Sequence, residues 1–463
     1  MMFAGLRARP QIHDVRQCWA RSKVYRAFLV AALLFALVRL AFQGALILGA
    51  LMPGDTPAPI PEEERIPNDL GDYLDAARRL QNREDLYLKG RLDRVEFYQY
   101  APAYALAFAP FLWMSPVAAA AIHTLLHVGA YALLYFLWGR IFYRLGLERA
   151  AEMLAWTLPV WVVCSAFWGD LSYLNIYVIM ALLGTLLIDA VLDERLGWSL
   201  LWLSIILQIK PQWAFAAAVP LLLGRWRFFA RLAALAIVSY AAIVGVTMLV
   251  AGPEYGWAQY VDYARFLVQM PGNFPWREPG APFLGYNHSI MQVVMYTLGV
   301  SPGTFTLATA IKLALLLPLG VVSARQLLRP ASRAGRDTPL LALDLAFVLY
   351  LGAFIWLDMV WELSLGAALF PYLLATLDRR DVKIGVAVIF LLYALVDVWR
   401  LVSFIVFGDA VIAPGLYVLT DPSVYLPLTM MVILAFYAAL LARLWAAPAR
   451  SERLADTGDA LSL

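Results

Sequence analysis

Apolar residues fill most of this chain in long runs separated by short polar turns, and the lengths of the runs set the first expectation. A helix needs roughly 20 apolar residues to cross a bilayer. The first such run, 25–50, follows a basic arm carrying Arg7, Arg9, Arg16, Arg21 and Lys23. It is too long for a signal-peptide core and reads as an uncleaved span. Further runs lie at 117–143, 151–168, 172–192, 199–209, 211–224, 228–251, 303–328, 339–357, 361–378, 383–407 and 423–445. The pattern predicts an all-α polytopic membrane protein, one domain over 1–463 with about twelve spans, the short runs being helices broken inside protein. A polar tail over 447–463 reads as disordered.

The segment 98–114 is apolar enough to cross, and loop charge decides against it. With 98–114 at or dipping into the outer surface, the N-terminal arm, Arg140/Arg144/Arg149, Arg195, Arg225/Arg227/Arg231, Arg325/Arg329/Arg333/Arg336, Arg379/Arg380/Lys383 and the tail Arg443/Arg450/Arg453 fall on one side. The positive-inside rule makes that side cytoplasmic in a multi-pass plasma-membrane protein. Two long segments, 52–116 and 252–302, then face the periplasm or exterior. The first has a Pro/Glu-rich start and an interfacial helix over 69–81, with Leu70, Tyr73, Ala76, Ala77 and Leu80 on one face. The second has a helix-like stretch at 260–268 and a segment that re-enters an apolar helix.

Composition supports the bilayer and removes other classes. Of 463 residues, 62% are hydrophobic and 15% charged, against ~25% charged in soluble domains. A net charge of +3 gives no footprint for nucleic acid. Cys18 and Cys164 are too differently placed for a disulfide, and without a CxxC or clustered histidines no metal or other cofactor is expected. His123 and His127, at i and i+4 with no carboxylate beside them, read as core histidines.

Candidate chemistry gathers on the outer side. Asp69 opens the interfacial helix, where it is either an N-terminal cap or a general base beside the bilayer. Lys210 stands at a Lys-Pro break between two apolar half-helices, either snorkelling or acting as counter-charge to an anion. His288, between Asn287 and Ser289, is either structural or a donor to phosphate or sugar. Asp170, Tyr173 and Asn175 read as a cavity rim, with Arg265, Arg277, Glu278, Asp358 and Glu362 as further outer polar groups. Trp161, Trp168, Trp257, Trp276, Trp356 and Trp361 read as belt residues, one or two of which would stack on a sugar.

The order Asn68-Asp69-Leu70 with Tyr73, then Tyr98-Gln99-Tyr100-Ala101-Pro102, Lys210-Pro211 and Asn287-His288-Ser289 resembles the GT-C superfamily of membrane glycosyltransferases. The nearest group by these motifs is glycosyltransferase family 87, the polyprenyl-phosphomannose-dependent α-mannosyltransferases. The resemblance implies an inverting transfer of a hexose, mannose first, from a polyprenyl-phosphate sugar to a lipid or glycan acceptor. It implies Asp69 as catalytic base, Lys210, His288 and Asn287 on the donor phosphate, and Tyr73, Tyr98, Tyr100, Asp170, Asn175 and Ser289 on substrate. His288 replaces a common glutamine and Ala101 a common proline or threonine, which bears on the donor sugar. The alternative class is a secondary transporter or flippase of a lipid-linked sugar, although no second Lys-Pro break matches the first.

Overall fold

The computed structural model describes residues 9–51, 68–87, 97–281, 283–328, 339–407 and 426–459. The Pro/Glu-rich turn, the outer loop 408–422 and the last residues of the tail lie outside them. Among the described residues the chain is helical, with no strand. The basic arm folds as α1 (Arg9–Arg21), joined to the long apolar helix α2 (Lys23–Leu51). α3 (Asn68–Asn82) is the expected interfacial helix, for Leu70, Tyr73, Ala76, Ala77 and Leu80 are all buried on its inner face. They press against α4 (Pro102–Phe108) and a 3-10 turn, Ala109–Trp113. Together Pro102–Trp113 make only a short apolar helix, below the length a crossing needs.

α5 (Pro116–Arg144) is a full span, capped by the Ser115 hydroxyl on Ala118 N–H. α6 (Glu148–Trp156) is followed at a bend by α7 (Leu158–Val163) and α8 (Ser165–Tyr173). The short helices α9 (Tyr177–Leu192) and α10 (Leu196–Ile209) come next. Pro211, with no N–H to give, ends α10, and the chain continues as a 3-10 turn, Pro211–Ala218, into α11 (Val219–Leu222). α12 (Trp226–Ala251) spans, and α13 (Pro253–Asn273) extends well beyond the helix-like 260–268. α14 (Ile290–Leu298), α15 (Pro302–Leu327) and α16 (Pro339–Trp356) precede the short α17 (Gly366–Thr376). α18 (Arg380–Ala394) bends into α19 (Val396–Phe407), and α20 (Leu428–Asp459) runs on into the stretch read as tail.

The expected count of spans is corrected. Among the described residues six helices are long and apolar enough to cross a membrane, or up to eight if each bent pair is one span. The overcount comes from runs such as 172–192, 199–209, 211–224 and 361–378, whose helices are too short to cross. They are apolar because they are packed in protein: Leu187, Ile206, Trp213 and Leu369 are fully buried. A run-length count cannot separate burial in protein from burial in lipid. The bilayer-facing side is plain in the long helices, where Leu34, Leu37, Ile237, Leu249, Leu313 and Leu317 lie exposed. The chain is a membrane-embedded all-helical protein.

Its two ends differ in charge. Arg140 and Arg144 of α5 and Arg195 before α10 all bind the buried Asp189 carboxylate, at 2.8 Å and 3.1 Å for the first two, and Arg225 pairs with Glu194 at 3.3 Å. That cluster caps one end of α9. The polar turn Asp170–Asn175 precedes its other end, about 24 Å away by helical rise.

Candidate functional site

The site begins with the turn between α8 and α9. Leu174 takes a left-handed conformation (φ 48°) at the end of α8, which costs a non-glycine residue about 1 kcal/mol and needs support. Asp170 provides it, its carboxylate accepting from Tyr177 N–H at 3.0 Å and Val178 N–H at 2.8 Å at the start of α9. The two histidines of α5 hold the rest. His123 Nε2 meets Leu174 O at 2.9 Å, and His127 Nε2 contacts both Asn175 O and Asp170 Oδ2. They are buried, as expected of core histidines, but the expectation of no carboxylate beside them is corrected, since Asp170 Oδ2 lies 3.2 Å from His127 Nε2, and together they lock this turn. Among the described residues no group of His, Cys, Asp and Glu is arranged to hold a metal.

A second turn faces the first. Asn287 Oδ1 accepts from Ser289 N–H and Val360 N–H, both at 3.0 Å, while its Nδ2 donates to Asp358 O at 2.9 Å. His288 N–H donates to Val360 O at 2.7 Å. Asn287 is thereby a clamp joining 287–289 to 358–360. Ser289 caps α14, accepting from Gln292 N–H at 3.1 Å. His288 Nδ1 meets the Thr429 hydroxyl at 2.9 Å and the Thr429 amide at 3.2 Å. Lys312, inside the span α15, anchors the clamp from behind by donating to Asp358 Oδ1 and to Trp356 O.

Between the turns lie two adjoining cavities. The larger, of about 250 Å³, is lined by Asp69, Asp72, Gln99, Asn175, Arg277 and Asn287 among others. The smaller, of about 50 Å³, is lined by Asp170, Asn175, His288, Glu362 and Arg400 among others. Tyr173, Asn175, Tyr177, Tyr286 and Trp361 line both, so one wall serves the two. A Cβ at position 169 would come within 2.4 Å of Glu362 Oε1, so a larger residue there would displace the end of that flexible side chain. Asn175 Oδ1 accepts from Tyr73 OH at 3.2 Å and Ile176 N–H at 2.6 Å, so what it offers a ligand is its Nδ2 donor.

Several expected residues stand elsewhere. Tyr73, Tyr98 and Tyr100 line neither cavity; they are buried behind the wall in an aromatic cluster in which the Tyr73 and Tyr100 hydroxyls meet at 3.0 Å. Their role is to back α3, because its inner face is pressed onto 97–108. Lys210 also lines neither cavity. Its Nζ sits 4.2 Å from the Tyr177 ring centre and 4.9 Å from that of Tyr100. Burial pulls the Lys210 pKa down to about 8, against the upward pull of Asp69 and then Asp170. It stands as a counter-charge to Asp69 and Asp170 rather than on a cavity wall. Arg277 stands in the sequence only as an outer polar group, and Gln99, Tyr286 and Arg400 are not among its candidate site residues; the signals for two of them are that Gln99 lies inside the Tyr98–Pro102 motif and Tyr286 beside Asn287. Trp361 is the tryptophan of the six that lines both cavities.

No family model, curated protein or solved structure matches the chain. Its class therefore rests on fold and site: an all-helical membrane protein holding an acidic and amide-rich cavity at one end of its short central helices.

Proposed function

We propose that the protein is an inverting, polyprenyl-phosphate-sugar-dependent glycosyltransferase of GT-C type, acting at the outer face of the plasma membrane. The donor sugar is a hexose, mannose first, and the acceptor a lipid or glycan. The observation that carries this reading is the joining of Asp69, amide donors and the Trp361 face in one cavity beside the His288 cavity. Gln99, Asn175 and Trp361 suit the hydroxyls and apolar face of a sugar. Asp69 takes the proton from the acceptor hydroxyl as that oxygen bonds to the anomeric carbon, and the carbon's bond to the phosphate oxygen breaks on the opposite face. The leaving phosphate departs as an anion that neighbouring donors must hold, His288 among them.

Purified protein in liposomes, given a radiolabelled polyprenyl-phosphate hexose and an envelope lipid extract, is expected to form a labelled glycolipid with inverted anomeric configuration. Retention of configuration, or movement of intact lipid-linked sugar across the vesicle without a new glycosidic bond, removes the assignment.

Lys210 gives a pH signature. Its ammonium is charged below about 8 and neutral above it, so kcat/KM is expected to fall as pH rises through that value, when Asp69 loses its nearby cation. Lys210→Met is expected to be slower below this pH and to lack the alkaline limb. An unchanged limb in the variant assigns it to another group.

A further inference from the structure

Two histidines one turn apart on α5 reach the polar turn, and the oxygens they meet decide where their protons lie. His123 Nε2 meets the Leu174 carbonyl at 2.9 Å. His127 Nδ1 meets the carbonyl of His123 at 2.8 Å, while its Nε2 meets the Asn175 carbonyl and, at 3.2 Å, Asp170 Oδ2. A carbonyl oxygen only accepts, so a ring nitrogen bound to one must carry the proton. His123 needs one such proton, which a neutral ring supplies. His127 needs two, one on each nitrogen, and only the imidazolium form has both. A neutral ring would aim a lone pair at a carbonyl oxygen where the side chains of His127 and Asp170 are both 0% exposed, an unpaired contact with no solvent to relieve it.

The surrounding elements agree with a cation there. Asp170, from α8, also accepts from Tyr177 N–H and Val178 N–H. α3 and α4 set the Tyr73 and Phe108 rings against His123. Arg39 of α2 is turned to Ser172 and Asp397, and Lys210 stands against the Tyr177 ring. α1, α6 and the far end of α9 meet the opposite end of α5, where Asp14 takes the Tyr143 hydroxyl beside Glu148 and Glu152, and Asp189 is held by Arg140 and Arg144. Among the described residues the charged partner of His127 is Asp170. We infer that His127 is held as an imidazolium and is a positioning residue for the site. Its two N–H groups tie α5 to the wall that Tyr173, Asn175 and Tyr177 give to both cavities. Its charge balances Asp170, so the smaller cavity meets a leaving phosphate without an uncompensated carboxylate at that position. This last consequence rests on the glycosyltransferase reading; the protonation does not. The hold is present while the ring keeps both protons and is lost as pH rises and one leaves, because a lone pair then faces an acceptor.

The chain has four histidines, so magnetic-resonance spectra of the ring nitrogens in histidine-labelled, full-length protein in nanodiscs separate them, with His13→Gln, His123→Gln, His127→Gln and His288→Gln for assignment. At about pH 7 His127 is expected to show two protonated ring nitrogens and His123 one. A bare ring nitrogen on His127 at that pH overturns the inference. His127→Gln keeps one donor and leaves Asp170 its two amide bonds, so it folds with a lower unfolding midpoint. Adding Asp170→Asn removes the stranded charge and is expected to restore part of that loss. A double variant no more stable than the single overturns the ion pair. In the liposome assay His127→Gln is expected to lower kcat about 10-fold, the loss of one charge-assisted bond, with donor KM little changed. Wild-type kcat in that variant removes the positioning role. A doubly protonated His127 in a protein that transfers no sugar sinks the enzyme reading alone.

Discussion

Asp69→Asn lowers the rate of sugar transfer by about a thousandfold, the scale of a lost general base, while isoprenyl-phosphate binding and thermal stability stay at wild-type levels. The substitution is nearly isosteric, and asparagine serves the first turn of a helix as well as aspartate does. The start of α3 therefore keeps its place, as do Leu70 and Tyr73 beneath it. Only the proton acceptor is lost. Single-turnover kinetics with saturating donor measure it directly, since they separate the chemical step from binding and release. Wild-type turnover in the variant would return Asp69 to a cap and leave the cavity without a base.

Lys312→Met is expected to be the most destabilising of the substitutions considered, by about 3 kcal/mol, because it strips a largely buried carboxylate of its partner. The Lys312 side chain is 4% exposed and that of Asp358 22%. The same change loosens the clamp, since Asp358 and Val360 hold Asn287 and His288 through their backbone. Donor KM should rise along with a lower unfolding midpoint in detergent. Lys312→Met with Asp358→Leu removes both charges and leaves the Asp358 carbonyl in place for Asn287, so stability should return. A single variant as stable as wild type would show that the pair contributes no net stability.

The sequence made the long helices and the interfacial α3 legible, because hydrophobic run length and helical spacing are direct physical signals. Asp69 and His288 were legible as well, each standing at a polar break in an apolar context. The span count was not, because a buried short helix and a lipid-facing one have the same composition: α9 and α12 are both apolar, yet α9 is packed in protein and α12 bares Ile237 and Leu249. The separation of cavity wall from cavity backing was equally hidden. Tyr100 and Gln99 are neighbours in the chain, and only the turn of the backbone after 97 sends one into the aromatic cluster and the other to the cavity. The ion pair of Arg39 with Asp397 was hidden too, for it joins residues 358 positions apart.

The shortness of α9 has a consequence for chemistry. Its 16 residues rise about 24 Å, less than the roughly 30 Å of a bilayer's hydrocarbon. With its arginine-capped end at one membrane surface, the turn that carries Asp170 and Asn175 would fall short of the other, sunk beneath the headgroups unless the bilayer thins around it. An activated sugar drawn into that recess would be screened from bulk water, the nucleophile most abundant at any membrane surface and the one whose attack would waste the donor.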